Sequence, residues 1–221
     1  ADTVLTSTAG DAISFTTTID GAHSLTINTT GATTLGGAVG SGAGTALTSI
    51  TTNAGGTLAI NGGVVKTTGA QSYGEAVSIG ADTILTSTGS GAISFGNTLN
   101  GAHTLAVNTS GTTTFTGAVG GITALTSLTT DVGGTVAING GVVKTTGAQT
   151  YYENVTLGVG TLLEGVNVSL MSAVDGAVSL SITDSGTTVL GGIIGGTTPL
   201  MSLSCRCTSA SLWPNALCKN H

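Results

Sequence analysis

Hydrophobic and polar residues alternate along this chain in runs of about five to seven positions, each broken by Gly or Asn-Gly. Leu25-Thr26-Ile27-Asn28, Thr57-Leu58-Ala59-Ile60 and Val77-Ser78-Ile79 are typical. A two-residue alternation puts every second side chain on one side of an extended backbone, and the abundance of Thr, Val and Ile favours strands. Helical periodicity is nearly absent, so the pattern predicts an all-β chain. Breaks recur every six to ten residues or so, and the inward positions read as uniformly small or aliphatic, which suits a coil turning corners. The fold predicted is a right-handed parallel β-helix, a β-solenoid of about nine to ten rungs with about 20–24 residues each. At about 4.8 Å per rung the rod is about 45 Å long. Tandem β-sandwich repeats are the alternative architecture.

The alternation is itself repeated. Residues 1–80 return as 81–158 at about two-thirds identity, and Ile60 to Gln71 reappear unchanged as Ile138 to Gln149. A degenerate third copy occupies 159–204, with Val174-Asp175-Gly176-Ala177-Val178 tracking Leu99-Asn100-Gly101-Ala102-His103. Residues 1–204 therefore read as one solenoid. Residues 205–221 hold all three cysteines, the only Trp and the only Arg, and read as a divergent cap or a tail foreign to the repeat. Ala1 falls inside the repeat pattern, as expected of a piece excised from a longer polypeptide.

Composition narrows the functional classes. Charged residues make up 6% of the chain and the net charge is −6. Four Lys plus Arg cannot neutralise a row of phosphates, so no nucleic-acid partner is expected. No apolar stretch reaches the length of a membrane helix, so no membrane insertion is expected. An acidic, Thr-rich surface with no cysteine before Cys205 suits an extracellular or cell-surface setting held together by stacking.

Gly-Ala-His-Thr-Leu-Ala-Val-Asn-Thr-Ser-Gly-Thr-Thr-Thr-Phe (101–115) and Leu-Thr-Ser-Leu-Thr-Thr-Asp-Val-Gly-Gly-Thr-Val-Ala-Ile-Asn-Gly-Gly (125–141) resemble the repeat tracts of large bacterial surface proteins. These are the β-strand-repeat, filamentous-haemagglutinin-like autotransporter adhesins. The resemblance covers residues 1 to about 204. It implies a secreted structural and adhesive stalk without catalytic residues, with a glycan or host surface as partner. End-to-end self-association is a further expectation, because terminal rungs present unpaired strand edges.

Candidate chemistry is sparse. His23 and His103 occupy equivalent positions, and Asp20 lies three residues before His23, so a Ser–His–Asp arrangement is conceivable. Asn100 replaces Asp20 in the second copy and Val178 replaces the His in the third, which favours a His repeated at a rung corner. Glu75 and Glu153 recur beside Tyr73 and Tyr151, and Asp2 recurs as Asp82; paired carboxylates could serve a glycosidase, but acids a whole repeat apart read better as solvated corners. The alternative function is thus a β-helical hydrolase or lyase acting on an ester or polysaccharide, with only Lys66 and Lys144 as basic groups within the repeats. Cys205, Cys207, Cys218 and His221 are possible zinc ligands at unusual spacing. Thr spacing is too irregular for an ice-binding face, and Gly40 to Gly44 lacks the Lys of a phosphate loop. No cofactor is expected.

Overall fold

Each run becomes one side of a coil, and its inward residues stack on those of the next turn. The computed structural model describes residues 1–42 and 45–212. Among them there is no helix, and the strand pairings are parallel. A hairpin-built sandwich would need antiparallel pairs, so the solenoid is the architecture.

Three faces run the length of the rod. The first is a nine-stranded sheet from Thr3–Ser7 to Val174–Asp175, continued by a bridge from Val174 to Ile194. The second is a five-stranded sheet from Ile13–Phe15 to Leu99–Asn100 and a four-stranded sheet from Val142–Lys144 to Ser202–Arg206. Val119 joins these two by bridging Leu99 and Val143. The third starts with the bridged residues Ile19, Val39 and Val65 and continues as an eight-stranded sheet from Val64–Thr67 to Ser209–Leu212. With bridged residues counted as sides, the coil makes about 10 turns. Turn length varies from 19 residues, where Thr135 pairs Asn154, to 26, where Val39 bridges Val65. The strand Ser202–Arg206 pairs with Ser179–Asp184 straight across position 205, so Cys205 lies within the coil.

The duplicated unit does not fill a whole number of turns. From Thr3–Ser7 to Ala76–Ile79 the first copy supplies eleven sides, one short of four three-sided turns. Thr83–Ser87, the counterpart of Thr3–Ser7, therefore lies on the third face, and Thr161–Gly165 lies on the second. Equivalent residues are displaced along the rod and also rotated by one face.

The core consists of columns of in-register side chains. Thr52, Tyr73, Phe95, Phe115 and Ile138 follow one another on the first face. Tyr73, Phe95 and Phe115 stack with ring centroids 5.3 and 5.4 Å apart. This aromatic stack corrects the expectation of uniformly small or aliphatic inward residues. Rings on parallel strands about 4.8 Å apart are brought into register, so Phe95 and Phe115 stack within 10° of parallel while Tyr73 tilts by 30° against Phe95, both favourable aromatic contacts. The Tyr73 hydroxyl donates to Gln71 Oε1 at 2.8 Å, and Gln71 Nε2 donates to the Val65 and Thr86 carbonyls on the third face. Tyr151 and Gln149 repeat this bond at 3.1 Å. Corners are made where side chains are excluded: at Gly40 and Gly120 φ is +65° and +68°, and a Cβ would overlap the carbonyls of Lys66 and Lys144.

Candidate functional site

Asp20, Asn100 and Asp175 occupy one position in the three copies, and each receives hydrogen bonds from the loop one turn on. Asp20 Oδ1 accepts from the Gly42 amide at 3.1 Å and the Thr45 hydroxyl at 3.0 Å. Asn100 Oδ1 accepts from the Ile122 and Thr123 amides, and Asp175 Oδ1 from the Thr197 and Thr198 amides. This task needs an acceptor oxygen and no charge, which explains why Asn serves in the second copy. Asp20→Asn is therefore expected to change stability by less than about 0.5 kcal/mol, and Asp20→Ala to cost about 1 kcal/mol. Denaturant unfolding of the two variants checks this; equal losses would assign the role to charge.

Asp20 does not orient His23. The carboxylate nearest His23 Nδ1 is Asp2, at 3.9 Å, and the equivalent pair His103 and Asp82 lies at 3.7 Å. Asp2 Oδ1 and Asp82 Oδ1 accept from the Ser24 and Thr104 amides, both at 2.8 Å. Those backbone bonds, foremost among several contacts, hold both carboxyls below their usual range. Both pairs are well exposed, and the imidazole separation exceeds that of a firm hydrogen bond. Lys144 is engaged by Glu164 one turn on, at 2.7 Å.

Glu75 and Glu153 depart most from the sequence expectation. They are 0% and 3% exposed, so they are not solvated corners. Strand alternation continues through the bend: Gln71, Tyr73, Glu75, Val77 and Ile79 are all buried, as are Gln149, Tyr151, Glu153, Val155 and Leu157. That unbroken phase is the signal in the sequence that reveals their burial. The Glu75 carboxyl reaches back toward the buried Thr33 and Thr52, and the Glu153 carboxyl toward the buried Thr130; Thr113, the counterpart of Thr33, is buried as well. Thr33 donates to Glu75 Oε1 at 3.5 Å. Room for Glu153 comes from Gly134, whose Cβ would stand 3.0 Å from Glu153 Oε1.

Among the described residues, the buried side-chain oxygens without a hydrogen-bond partner all belong to these two clusters: Glu75 Oε2, both carboxyl oxygens of Glu153, and the hydroxyls of Thr52, Thr113 and Thr130. Burial raises the Glu75 carboxyl above its usual range. Burial, with Asp131 adding repulsion and Thr130 partly offsetting it, pushes Glu153 up to about 7. A protonated carboxyl is neutral and brings an O–H donor, so it suits this surrounding better than a carboxylate.

Cys205 and Cys207 are buried at the second face, and Cys218 and His221 lie outside the described residues. Among the described residues no three His, Cys, Asp or Glu side chains gather as a metal site. One cavity of about 300 Å³ opens at the first turn, lined by Leu5, Phe15, Ile19, Leu25 and Leu47 with His23 and Asp20 at its edge. Comparison with family models, curated proteins and solved structures finds no match to this chain.

Proposed function

We propose that this chain is a structural and adhesive β-solenoid segment of a large secreted surface protein, and that it carries no catalytic activity. One observation carries this reading. Most polar groups preserved between the copies tie turns together: the Asp2 and Asp82 caps, the Asp20, Asn100 and Asp175 acceptors, and the Gln71 and Gln149 amides, which bridge the Val65 and Thr86 carbonyls and the Val143 and Glu164 carbonyls of adjacent turns. Duplication has kept these ties while the whole unit is displaced along the rod and rotated by one face. Hydroxyl pairs such as Thr112–Thr135 at 3.0 Å and Thr187–Ser209 at 2.7 Å line neighbouring turns on the outside, a surface suited to hydrogen bonding with a glycan.

Two measurements test the proposal. Beads coated with the protein should be retained on glycan-coated surfaces, and a panel of esters and polysaccharides should show no turnover. Turnover that vanishes in the His23→Ala, His103→Ala double variant would establish the hydrolase instead.

A further inference from the structure

Large apolar side chains occupy one edge of the rod on four successive turns. Between the third and first faces the chain passes Val132, then Tyr152, Met171 and Ile193, one on each turn. The register fixes their order: Thr130 and Thr135, on either side of Val132, pair with Tyr151 and Asn154, Tyr151 pairs with Leu170, and Val174 bridges Ile194. They are 69%, 46%, 44% and 60% exposed and span about 14 Å of the rod. Their counterparts one copy earlier are Ala54, Gly74, Gly96 and Ala118, which line the edge between the first and second faces, again on four successive turns. The corner is built alike in both places, with φ of +114° at Gly55 and +105° at Gly133. Ala or Gly therefore suffices to turn the chain, and the large side chains have no task inside the coil. A continuous exposed apolar line of this kind marks a contact surface.

We propose that this edge joins two copies of the chain side by side, antiparallel, about a two-fold axis that passes between Tyr152 and Met171. A line parallel to a straight rod meets an identical line over its whole length, so a second copy covers all four side chains and has its own four covered. The antiparallel order sets Tyr152 against Met171 of the second copy, a favourable sulfur–aromatic contact made twice, and Val132 against Ile193. The parallel order would instead bring Asp131, next to Val132, up to its own counterpart. The antiparallel order holds the two carboxylates about 14 Å apart, beyond the screening length at physiological salt. The edge is also fixed in advance: Asp131 Oδ1 accepts from the Thr109 amide at 2.9 Å, and Asn154 Oδ1 from the Ala173 amide at 3.2 Å. Little order is left to impose when the copies meet. The contact is independent of whether the faces bind a glycan.

Sedimentation velocity of the full chain should show a monomer–dimer equilibrium with a Kd between about 10 μM and 1 mM, because four side chains bury less than the about 800 Å² per partner of a standard interface. Tyr152→Asp and Met171→Asp each change the two-fold contact twice, so each should weaken the dimer at least about tenfold. Ile122→Asp, at an 87% exposed position on the edge between the second and third faces, should leave it unchanged. Unchanged circular dichroism spectra confirm that the variants fold. With p-benzoylphenylalanine in place of Tyr152, photo-crosslinks should fall on Met171 of the second copy. Monomers throughout the range, or a dimer that survives both Asp substitutions as association through the rod ends would, overturns the proposal. So do crosslinks confined to residues 150–154, which would make the pair parallel. Glycan retention lost in Tyr152→Asp without any self-association would make the line a glycan contact instead.

Discussion

Phe95→Ala is expected to lower the unfolding free energy by about 3–5 kcal/mol, whereas Phe15→Ala at the equivalent position should cost only about 1–2 kcal/mol. The two phenylalanines occupy the same place in the repeat and differ in what covers them. Phe95 is 1% exposed between Tyr73 and Phe115, so truncation leaves a cavity with an aromatic ring on each side. Phe15 packs on Leu35 from one side only, and its other side borders the open cavity. In a solenoid each turn contacts only its neighbours, so the Phe95 vacancy also weakens the coupling between the two halves of the rod. Urea unfolding followed by circular dichroism should show a lower midpoint and a broader transition for Phe95→Ala. Equal losses for the two variants would mean that the aromatic stack contributes no more than a single contact.

The second large effect concerns pH. A carboxyl whose folded pKa is raised binds its proton more tightly in the folded state than in the unfolded chain, so its contribution is fully present below the unfolded pKa and is lost as pH rises through the folded pKa. For Glu153 that window runs from the ordinary 4.5 to about 7. The shift corresponds to about 3 kcal/mol, and Glu75 adds in the same direction. The groups that bear on Glu153 are Asp131, which raises it, and Thr130, which lowers it; in the first copy Asn53 stands where Asp131 does. Thermal unfolding should therefore show a more stable protein at pH 5 than at pH 8. Glu153→Gln should remove most of that slope, and the Glu75→Gln, Glu153→Gln double variant should flatten it. Asp2 and Asp82, whose pKa values are lowered, act with the opposite sign and below this window. A wild-type protein equally stable at both pH values would place ionised carboxylates in the core.

The strands, their parallel stacking and the number of turns were legible because period-two alternation and Gly-punctuated corners act locally, and each strand declares itself. The internal duplication was equally plain. Its angular phase was not, since eleven sides to a copy becomes visible only when the short sides at Ile19, Val39 and Val119 are seen to bridge neighbouring turns. Glu75 and Glu153 were misjudged because a charged residue beside Gly or Tyr invites assignment to a corner, although their alternation phase with Tyr73 and Tyr151 pointed inward. The partner of His23 was missed for a related reason. Closeness in sequence favoured Asp20, whereas in a coil the side chain one turn away, Asp2, is the nearer neighbour.

Eleven sides per unit on a three-sided coil also sets how such a unit would look from outside when arrayed. Every motif advances by one face per copy and returns to its starting azimuth after three copies, or eleven turns, about 53 Å along the axis. A rod of such units has no preferred flank, and a flat surface pressed against it from any direction meets each motif once per three copies. Contact with that surface would then be insensitive to how the rod rolls about its own axis.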